Sequence, residues 1–288
     1  MEWIAHPPRR QDELASTPYD RWVAPNGACM AEFHRASDGY LIRFPGQADF
    51  LITDFEKPGQ AYVQGWQEPA CERQNITSLF HNAIVPILGN HHGGCFLHGS
   101  AVRIESDRVG AHAAVAFLGL SRGGKTTLAG SFAKAGHAFV TEDVIDLDLR
   151  GGEYWLRPKR SKLRLFSDSA RHLLGDGVEF EDTDSKQDIE AGVGLPFCDS
   201  PVRLRQIYVL GTDHRADLSI RELTLQEALA ALMPHAFILD VEDKSRLRGH
   251  FARMADLSQD IACYALDYRR DYAELPRVQR AILDNFAP

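Results

Sequence analysis

The chain has 288 residues, of which 44% are hydrophobic and 25% are charged, and its formal net charge is −8. This composition is typical of a globular protein, and the length is sufficient for a sizeable core. An acidic chain repels polyanions on average, so we expect no nucleic acid partner. The five cysteines are dispersed and form no C-x-x-C pair. This arrangement argues against a disulfide framework or a zinc site and favours a reducing compartment.

The sequence predicts neither secretion nor membrane insertion. The first residues, MEWIAHPPRRQDE, lack the apolar core of a signal peptide. No run of about 18 apolar residues is present, which is the length that a membrane-spanning helix needs. We therefore expect a cytoplasmic protein with no membrane partner.

The predicted elements divide the chain into three regions. Residues 1–75 hold short alternating apolar stretches between turn residues and predict a β-rich N-terminal region. Residues 76–215 predict a core of α/β class with a mixed sheet and flanking helices. Residues 216–288 predict a C-terminal helical region of the same core, whose first helix opens with the capping-box pattern Thr224-Leu-Gln-Glu227.

Within the core, apolar runs and turn residues predict the following order of elements. A helix is expected over 77–89, strands over 95–104 and 113–118, a helix over 125–135, a strand over 137–141, and a hairpin of 144–149 with 154–156 around Gly151-Gly152. A further strand is expected over 206–211, and amphipathic helices over 244–262 and 274–286.

Residues 119–126 read GLSRGGKT and match the pattern G-x-x-x-x-G-K-[ST] at every fixed position. Glycines let the backbone curl so that successive N–H groups point at phosphate oxygens, and the helix that follows adds its N-terminal partial positive charge. In this motif the lysine reaches the β and γ phosphates and the threonine hydroxyl binds Mg²⁺. The motif predicts a site for ATP and Mg²⁺ formed by Gly119, Ser121, Arg122, Gly123, Gly124, Lys125, Thr126 and Thr127.

Two segments that flank this loop carry candidate catalytic side chains. His98 lies on the strand that precedes the motif strand, and Glu142 with Asp143 ends the strand that follows the motif helix. Such a strand end lies beside the phosphate site in a strand–loop–helix–strand unit. Either carboxylate can accept a proton from an attacking hydroxyl or, with Thr126, hold Mg²⁺. We expect Asp143 to be the metal ligand with Thr126 and leave the choice of base open between the two acids.

The segments LHGSAV, GLSRGGKTT, Ala135-Gly136-His137 and VTEDVI together resemble the HPr kinase/phosphorylase family. More widely, with Trp155-Leu-Arg-Pro, Lys162-Leu-Arg-Leu-Phe and the tail from Ile261 to Tyr268, the chain resembles HPr-kinase-related proteins of lasso-peptide gene clusters. That resemblance implies a kinase that phosphorylates a serine near the C-terminus of a precursor peptide. It also implies that oligomers occur, although no residue pattern here indicates one.

The resemblance implies roles for residues that match the family pattern. Lys125 would serve ATP, the acid pair would supply the base and a metal contact, and His98 would match the family's active-site histidine. Glu190 is the nearest match to a further metal-site acid. Two departures are evident: Glu142 stands where the family has aspartate, and the glycine-rich signature of the reverse reaction has no clear copy. We therefore expect a kinase without phosphorylase activity.

Two further segments leave alternatives open. Residues 175–192 are acidic and polar, which fits either a solvated linker or a mobile loop that covers the substrate. The basic residues of 157–164 fit either an exposed strand edge or a site for a phosphate or carboxylate, and Arg203 and Arg205 are weaker candidates for the same role.

The sequence thus favours an ATP-dependent kinase acting on a hydroxyl, with a precursor peptide or a protein serine as acceptor. Two other functions remain open. One is a nucleotide-binding regulator or peptide chaperone with little catalysis, and the other is a kinase of a small hydroxylated molecule. The patterns do not decide between ATP and GTP.

Overall fold

The computed structural model describes residues 3–56, 61–105, 112–159, 162–175, 187–190 and 195–286. Contacts within the chain define two compact units. The first comprises residues 1–94 with 237–250, and the second comprises residues 95–236 with 251–288. These boundaries differ from the predicted ones at 75 and 215, because the helical segment after residue 75 and a segment from the C-terminal third pack with the N-terminal sheet.

The first unit contains a six-stranded sheet, which agrees with the predicted β-rich region. Its strands are Trp3–Ala5 (β1), Asp20–Val23 (β2), Cys29–Ala36 (β3), Gly39–Phe44 (β4), Ala48–Thr53 (β5) and Tyr62–Gln67 (β6). The order is β1-β6-β5-β4-β3-β2, with only β1 and β6 parallel. Alternation places every second side chain on one face, so Tyr40, Ile42 and Phe44 of β4 are all buried.

A helical run follows the sheet and starts earlier than the predicted helix at 77–89. It consists of Arg73–Leu79 (α1), a π-helical turn Phe80–Ile84 and Val85–His91 (α2). In the π turn the N–H of Val85 donates to the carbonyl of Phe80. The turn comes directly before Pro86, whose ring has no N–H to donate, so the irregularity falls where the regular ladder loses a donor.

The second unit contains the remaining strands and most of the remaining helices. Its strands are Cys95–His98 (β7), Ser100–Ile104 (β8), Ala113–Leu118 (β9), Ala138–Thr141 (β10), Val144–Arg150 (β11), Glu153–Leu156 (β12), Lys162–Leu165 (β13), Gln187–Glu190 (β14), Val202–Leu210 (β15), Ser219–Glu222 (β16) and Ala262–Asp267 (β17). Its helices are Lys125–Lys134 (α3), Ser167–Leu174 (α4), Leu225–Leu232 (α5), Lys244–Asp260 (α6), which begins in the first unit, and Leu275–Phe286 (α7). Two 3₁₀ turns are Met233–His235 and Tyr272–Glu274.

The main sheet of this unit is mixed. Its order is β10-β8-β9-β15-β12-β11-β7, β17 adds to β15, and β16 pairs with β17. Strands β9, β15 and β17 are mutually parallel, and the other pairings are antiparallel. Strands β13 and β14 form a separate two-stranded sheet. The described residues thus form a mixed α/β structure with flanking helices, which confirms the predicted fold class at that level.

Strand β9 lies in the core and is buried along its whole length. Ala113, Val115 and Phe117 pack in one hydrophobic cluster with side chains of α3 and α7. Ala114, Ala116 and Leu118 pack in a second cluster with side chains of α5 and α6. Helices therefore cover both faces of the sheet, and β9 delivers the loop that follows it from a rigid support.

Two predictions about elements were wrong in part. The C-terminal region is not only helical, because β16 and β17 lie within it and β17 pairs with β15 in parallel. The strand predicted over 95–104 is interrupted at Gly99, which separates β7 from β8. Within the described part of the chain, no helix combines the length and apolar character needed to cross a membrane.

Candidate functional site

The loop of residues 119–124 joins the carboxyl end of β9 to the first residue of α3. Gly124, directly before the helix, has a φ of 90°, and Arg122 has a φ of 61°. Glycine adopts this left-handed conformation without strain, whereas arginine rarely does so. The N–H of Gly123 donates to the carbonyl of Leu120 at 3.0 Å and closes a tight turn. The predicted order of strand, glycine loop and helix is present at the predicted residues.

Lys125, the first residue of α3, is buried with 6% of its surface exposed. Its Nζ donates to the carbonyl oxygens of Gly119 and Leu120, each at 2.9 Å. The side chain at the end of the loop is therefore bonded to the two residues with which the loop begins. These charge-assisted bonds hold the loop curved and keep a positive charge beside its peptide groups.

The next two residues of α3 reach different neighbours. The hydroxyl of Thr126 donates to Oε1 of Glu142 at 3.2 Å, which joins the loop to the acid pair. The hydroxyl of Thr127 is 3.1 Å from the hydroxyl of Ser169 on α4. The structure thus gives a contact between Thr126 and the first of the two acids.

Two residues of the predicted nucleotide site have side chains at the surface of the loop. Ser121 and Arg122 are both exposed. The guanidinium of Arg122 lies 5.3 Å from the centre of the Phe166 ring. Arg122 is thus directed towards the segment that leads into α4, and it is open to a ligand from solvent.

Glu142 and Asp143 form the turn between β10 and β11. Asp143 has a φ of 62°, a left-handed conformation that aspartate tolerates better than most residues. The N–H of Val144 donates to the carbonyl of Glu142 at 2.7 Å, and the hydroxyl of Thr141 donates to the carbonyl of Val144 at 2.7 Å. Both carboxylates therefore belong to a tightly bonded turn and are half-buried.

His98 is bonded to the backbone of this turn. Its Nδ1 is 2.9 Å from the carbonyl oxygen of Asp143, and because a carbonyl only accepts, Nδ1 must carry the proton. The N–H of Gly99 points at the same oxygen at 3.3 Å. A Cβ at Gly99 would lie 2.6 Å from Ile145 and 2.6 Å from Leu118, so only glycine fits between these strands. The predicted histidine and acid pair are therefore adjacent, joined through the backbone of Asp143.

A second histidine, which the sequence reasoning missed, belongs to the same region. Ala236 forms an isolated bridge with Leu97, which places His235 close to His98. His235 is buried, and burial lowers its pKa to about 4, with further lowering by the positive charges of His98 and Lys125. The ring is therefore neutral at pH 7. Its sequence context, Met-Pro-His, carries no signal that would have identified it.

Arg270 is a further residue that the sequence reasoning missed. Its Nε donates to the carbonyl of Gly123 in the loop at 3.1 Å, and its two terminal nitrogens donate to the carbonyls of Gly211 at 2.8 Å and Tyr268 at 2.7 Å. The guanidinium also lies 3.9 Å from the centre of the Tyr268 ring. Burial lowers the pKa of Arg270. This side chain ties the end of β17 to the glycine loop.

The predicted basic segment is only partly described. Arg157 and Lys159 both contact the buried carboxylate of Asp146 on β11, at 2.7 Å and 2.5 Å. Arg160 lies outside the described residues, and only the backbone is described for Lys162 and Arg164. Residues 176–186 and 191–192 of the predicted covering loop also lie outside them. For Glu190 only its backbone position in β14 is described.

Arg203 and Arg205 lie away from the loop. They occupy the amino end of β15, where Arg203 pairs with Glu153 at 2.9 Å beside a groove of about 350 Å³. Strand β15 runs parallel to β9, and its opposite end, at Val209, is level with Leu118. The structure therefore does not bring these two arginines to the glycine loop.

No group of three or more metal-ligating side chains occurs among the described residues. The donors that do converge are the hydroxyl of Thr126 and the carboxylate of Glu142, with Asp143 next in the chain. Hydroxyl and carboxylate oxygens suit Mg²⁺, which commonly takes one or two protein ligands and completes its shell with water and phosphate. The residues present fit that ion.

No protein-family model and no curated protein matches this sequence. Among solved structures, the chain is similar to the Hpr(Ser) kinase/phosphatase from Coxiella burnetii, with 11% sequence identity and a TM-score of 0.35. The match covers 66% of this chain and 99% of the other. A likeness at this level carries no conclusion about function.

Proposed function

We propose that this protein is an ATP-dependent kinase that transfers the γ-phosphate of ATP to a hydroxyl group. The observation that supports this most is the buried Lys125, whose ammonium group is bonded to the first two carbonyls of the glycine loop. Burying an ammonium group is unfavourable unless it is well bonded, so a lysine kept at this place indicates an anionic ligand.

The loop and α3 supply the phosphate site of this proposal. Backbone N–H groups of residues 119–124 and the amino end of α3 offer donors and partial positive charge to phosphate oxygens. Lys125 exchanges at least one carbonyl contact for a phosphate oxygen. Arg270 holds the carbonyl of Gly123 and thereby fixes the direction of the neighbouring peptide groups.

Thr126 and Glu142 are the proposed holders of Mg²⁺, since their oxygens are already in contact. Asp143 remains a second candidate ligand, as the sequence suggests. When bound, the ion supplies charge that stabilises the transferring phosphoryl group. The contact between Thr126 and Glu142 keeps the carboxylate directed at the loop.

The acid turn supplies the proposed proton acceptor. The acceptor oxygen attacks the γ-phosphorus, the bond from that phosphorus to the bridging oxygen breaks, and the hydroxyl proton passes to a carboxylate. Since Glu142 is assigned to Thr126 and the ion, we assign the role of base to Asp143. His98 acts as a positioning residue, because its Nδ1–H fixes the peptide of Asp143.

The class of acceptor follows from the resemblance of the sequence to HPr-kinase-related proteins. A serine near the C-terminus of a precursor peptide is the acceptor that this resemblance suggests.

The test is transfer from γ-labelled ATP with Mg²⁺ to a panel of serine peptides, followed by intact-mass analysis. We expect a gain of one phosphate with the wild type and a loss of at least ~10³-fold in rate with Lys125→Ala. Asp143→Asn should also reduce the rate. Lys134→Ala, which removes an exposed lysine from the same helix, is the matched control and should retain full activity.

Two outcomes would contradict the proposal. Transfer that persists in Lys125→Ala would exclude this loop as the phosphate site. Tight ATP binding with no phosphate on any acceptor would instead favour the regulatory or chaperone function, and transfer only to small hydroxylated molecules would replace the peptide acceptor.

A further inference from the structure

Arg157 and Lys159 form a cationic pair that carries two positive charges against the single negative charge of Asp146, which both side chains contact. Both side chains contact Asp146, Arg157 through Nη2 at 2.7 Å and Nε at 3.1 Å, and Lys159 through Nζ at 2.5 Å. The Asp146 side chain is buried, with 4% exposed, whereas those of Arg157 and Lys159 are 45% and 33% exposed. One cation would neutralise the carboxylate, so the pair has one positive charge in excess that is open to solvent.

The pair is held in place by more than this carboxylate. The backbone N–H of Arg157 donates to the carbonyl of Asp146 at 2.9 Å. The Lys159 ammonium also lies 5.1 Å from the centre of the Phe96 ring, a distance at which a cation is attracted to the ring face. The nearby Asp148 carboxylate is bonded to Arg150 at 2.8 Å. Arg157 and Lys159 are thus preorganised rather than loosely placed at the surface.

The register of β7 and β11 relates this pair to the turn formed by Glu142 and Asp143. Val144 pairs with His98, and Asp146 pairs with Phe96, so these four side chains share one face. The residues between them, Leu97 and Ile145, are in the hydrophobic core on the other face. Two residues of an extended strand span about 7 Å, so Asp146, which both cations contact, lies about that far along the strands from the pairing of Val144 with His98.

We propose that Arg157, Lys159 and Asp146 form a subsite for a carboxylate of the acceptor, next to the hydroxyl that is phosphorylated. The identification of the bound molecule as the acceptor rests on the proposed function. The predicted binding of a carboxylate, however, does not require phosphate transfer. A single excess positive charge matches a carboxylate better than a phosphate dianion. The spacing of about 7 Å corresponds to one or two residues of extended peptide, so the acceptor carries its carboxylate that close to its serine.

The test measures direct binding without ATP by fluorescence anisotropy. The probes are short labelled serine peptides of three kinds: a free C-terminal carboxylate next to the serine, the same peptide amidated, and an amidated peptide with aspartate next to the serine. We expect the free acid to bind about 10- to 100-fold more tightly than the amide, which is the range for a charged hydrogen bond. The aspartate peptide shows whether a side-chain carboxylate serves as well as the terminal one.

Single substitutions locate the effect. Arg157→Gln and Lys159→Gln each leave one cation on Asp146, so the buried carboxylate stays paired and the fold is preserved. Each variant should reduce the preference for acid over amide by about 10-fold. Arg203→Gln, which removes an exposed arginine paired with Glu153, is the control and should leave the preference unchanged.

Equal binding of the free-acid and amidated peptides by the wild type, or binding of neither, would by itself contradict the proposed subsite. A preference that survives both substitutions would overturn it as well. Preferential binding with no phosphate transfer would support the subsite and contradict the kinase proposal, so the two failures are distinguishable.

Discussion

Each unit contains an arginine that is shielded from water, and the two guanidinium groups are bonded to different kinds of acceptor. Arg43 in the N-terminal sheet is bonded to both oxygens of the buried Asp49, each at 2.9 Å, and this carboxylate raises the pKa of Arg43. Arg270 in the second unit is bonded to three backbone carbonyls, and burial lowers its pKa. The first charge is neutralised by an acid, whereas the three hydrogen bonds of the second all go to uncharged peptide carbonyls.

The difference indicates where the molecule maintains positive charge for another purpose. A neutralised pair such as Arg43–Asp49 is complete and is expected to serve the fold. Arg270 and Lys125 both donate to carbonyls of the glycine loop, so positive charge accumulates at one place. Such an arrangement lowers stability unless an anion binds, which is typical of a functional site.

The largest effect on stability is expected from breaking the pair in the N-terminal sheet. Arg43→Leu leaves the buried Asp49 without its cation and should lower the free energy of unfolding by about 3–5 kcal/mol. Denaturant unfolding measures this. The exposed pair Arg21–Glu32 in the same sheet is the control, because Arg21→Leu should change stability by less than about 1 kcal/mol. Equal effects of the two substitutions would show that burial of the pair is unimportant.

The next effect concerns the neutral His235. Its pKa is about 4 in the folded protein and 6.5 in the reference state, so the unfolded chain binds the proton first as the pH falls. The stabilising contribution of His235 to the free energy of unfolding is present above pH 6.5. This contribution falls by up to about 3 kcal/mol as the pH falls towards 4. We expect His235→Gln to lose less stability than the wild type between pH 7 and pH 4 in urea unfolding. Parallel pH curves for the two proteins would contradict the buried, neutral state.

The smallest effect is expected from Arg270→Lys, which keeps the charge but removes the planar fork that serves three carbonyls. Stability should fall by about 1–2 kcal/mol, less than for Arg43→Leu. MgATP affinity should fall by about 10-fold, because the peptide of Gly123 loses its fixed direction. Calorimetric titration measures the affinity, and the exposed neighbour Arg269 provides the control Arg269→Lys. An unchanged affinity in Arg270→Lys would restrict this residue to a structural role.

The local elements of the fold were predictable from the sequence. The strand 113–118, the helix from Lys125 and the capping box at Thr224 with Glu227 follow from apolar runs, a glycine loop and a reciprocal side-chain pattern. Each of these signals is contained in a few consecutive residues. The sequence also identified His98 and the acid pair as candidates, and the structure gives the bond from His98 to the backbone of Asp143.

What the sequence did not predict depends on partners that are distant in the chain. Strand β17 exists because Ala262–Asp267 pairs with β15, and the roles of Arg270 and His235 arise from that pairing and from the bridge at Leu97. The break at Gly99 was missed because its cause, the close approach of Leu118 and Ile145, is a tertiary contact. Neither propensity nor spacing encodes such contacts.

We propose above all that the loop from Gly119 to Thr127 holds the phosphates of ATP. The most direct test is calorimetric titration of the wild type, Lys125→Ala and Lys134→Ala with MgATP, with thermal unfolding to verify that each variant is folded. We expect MgATP to bind to the wild type and to Lys134→Ala, and the affinity to fall by at least about 10-fold in Lys125→Ala. Equal affinity in all three proteins, or no binding by the folded wild type, would contradict it.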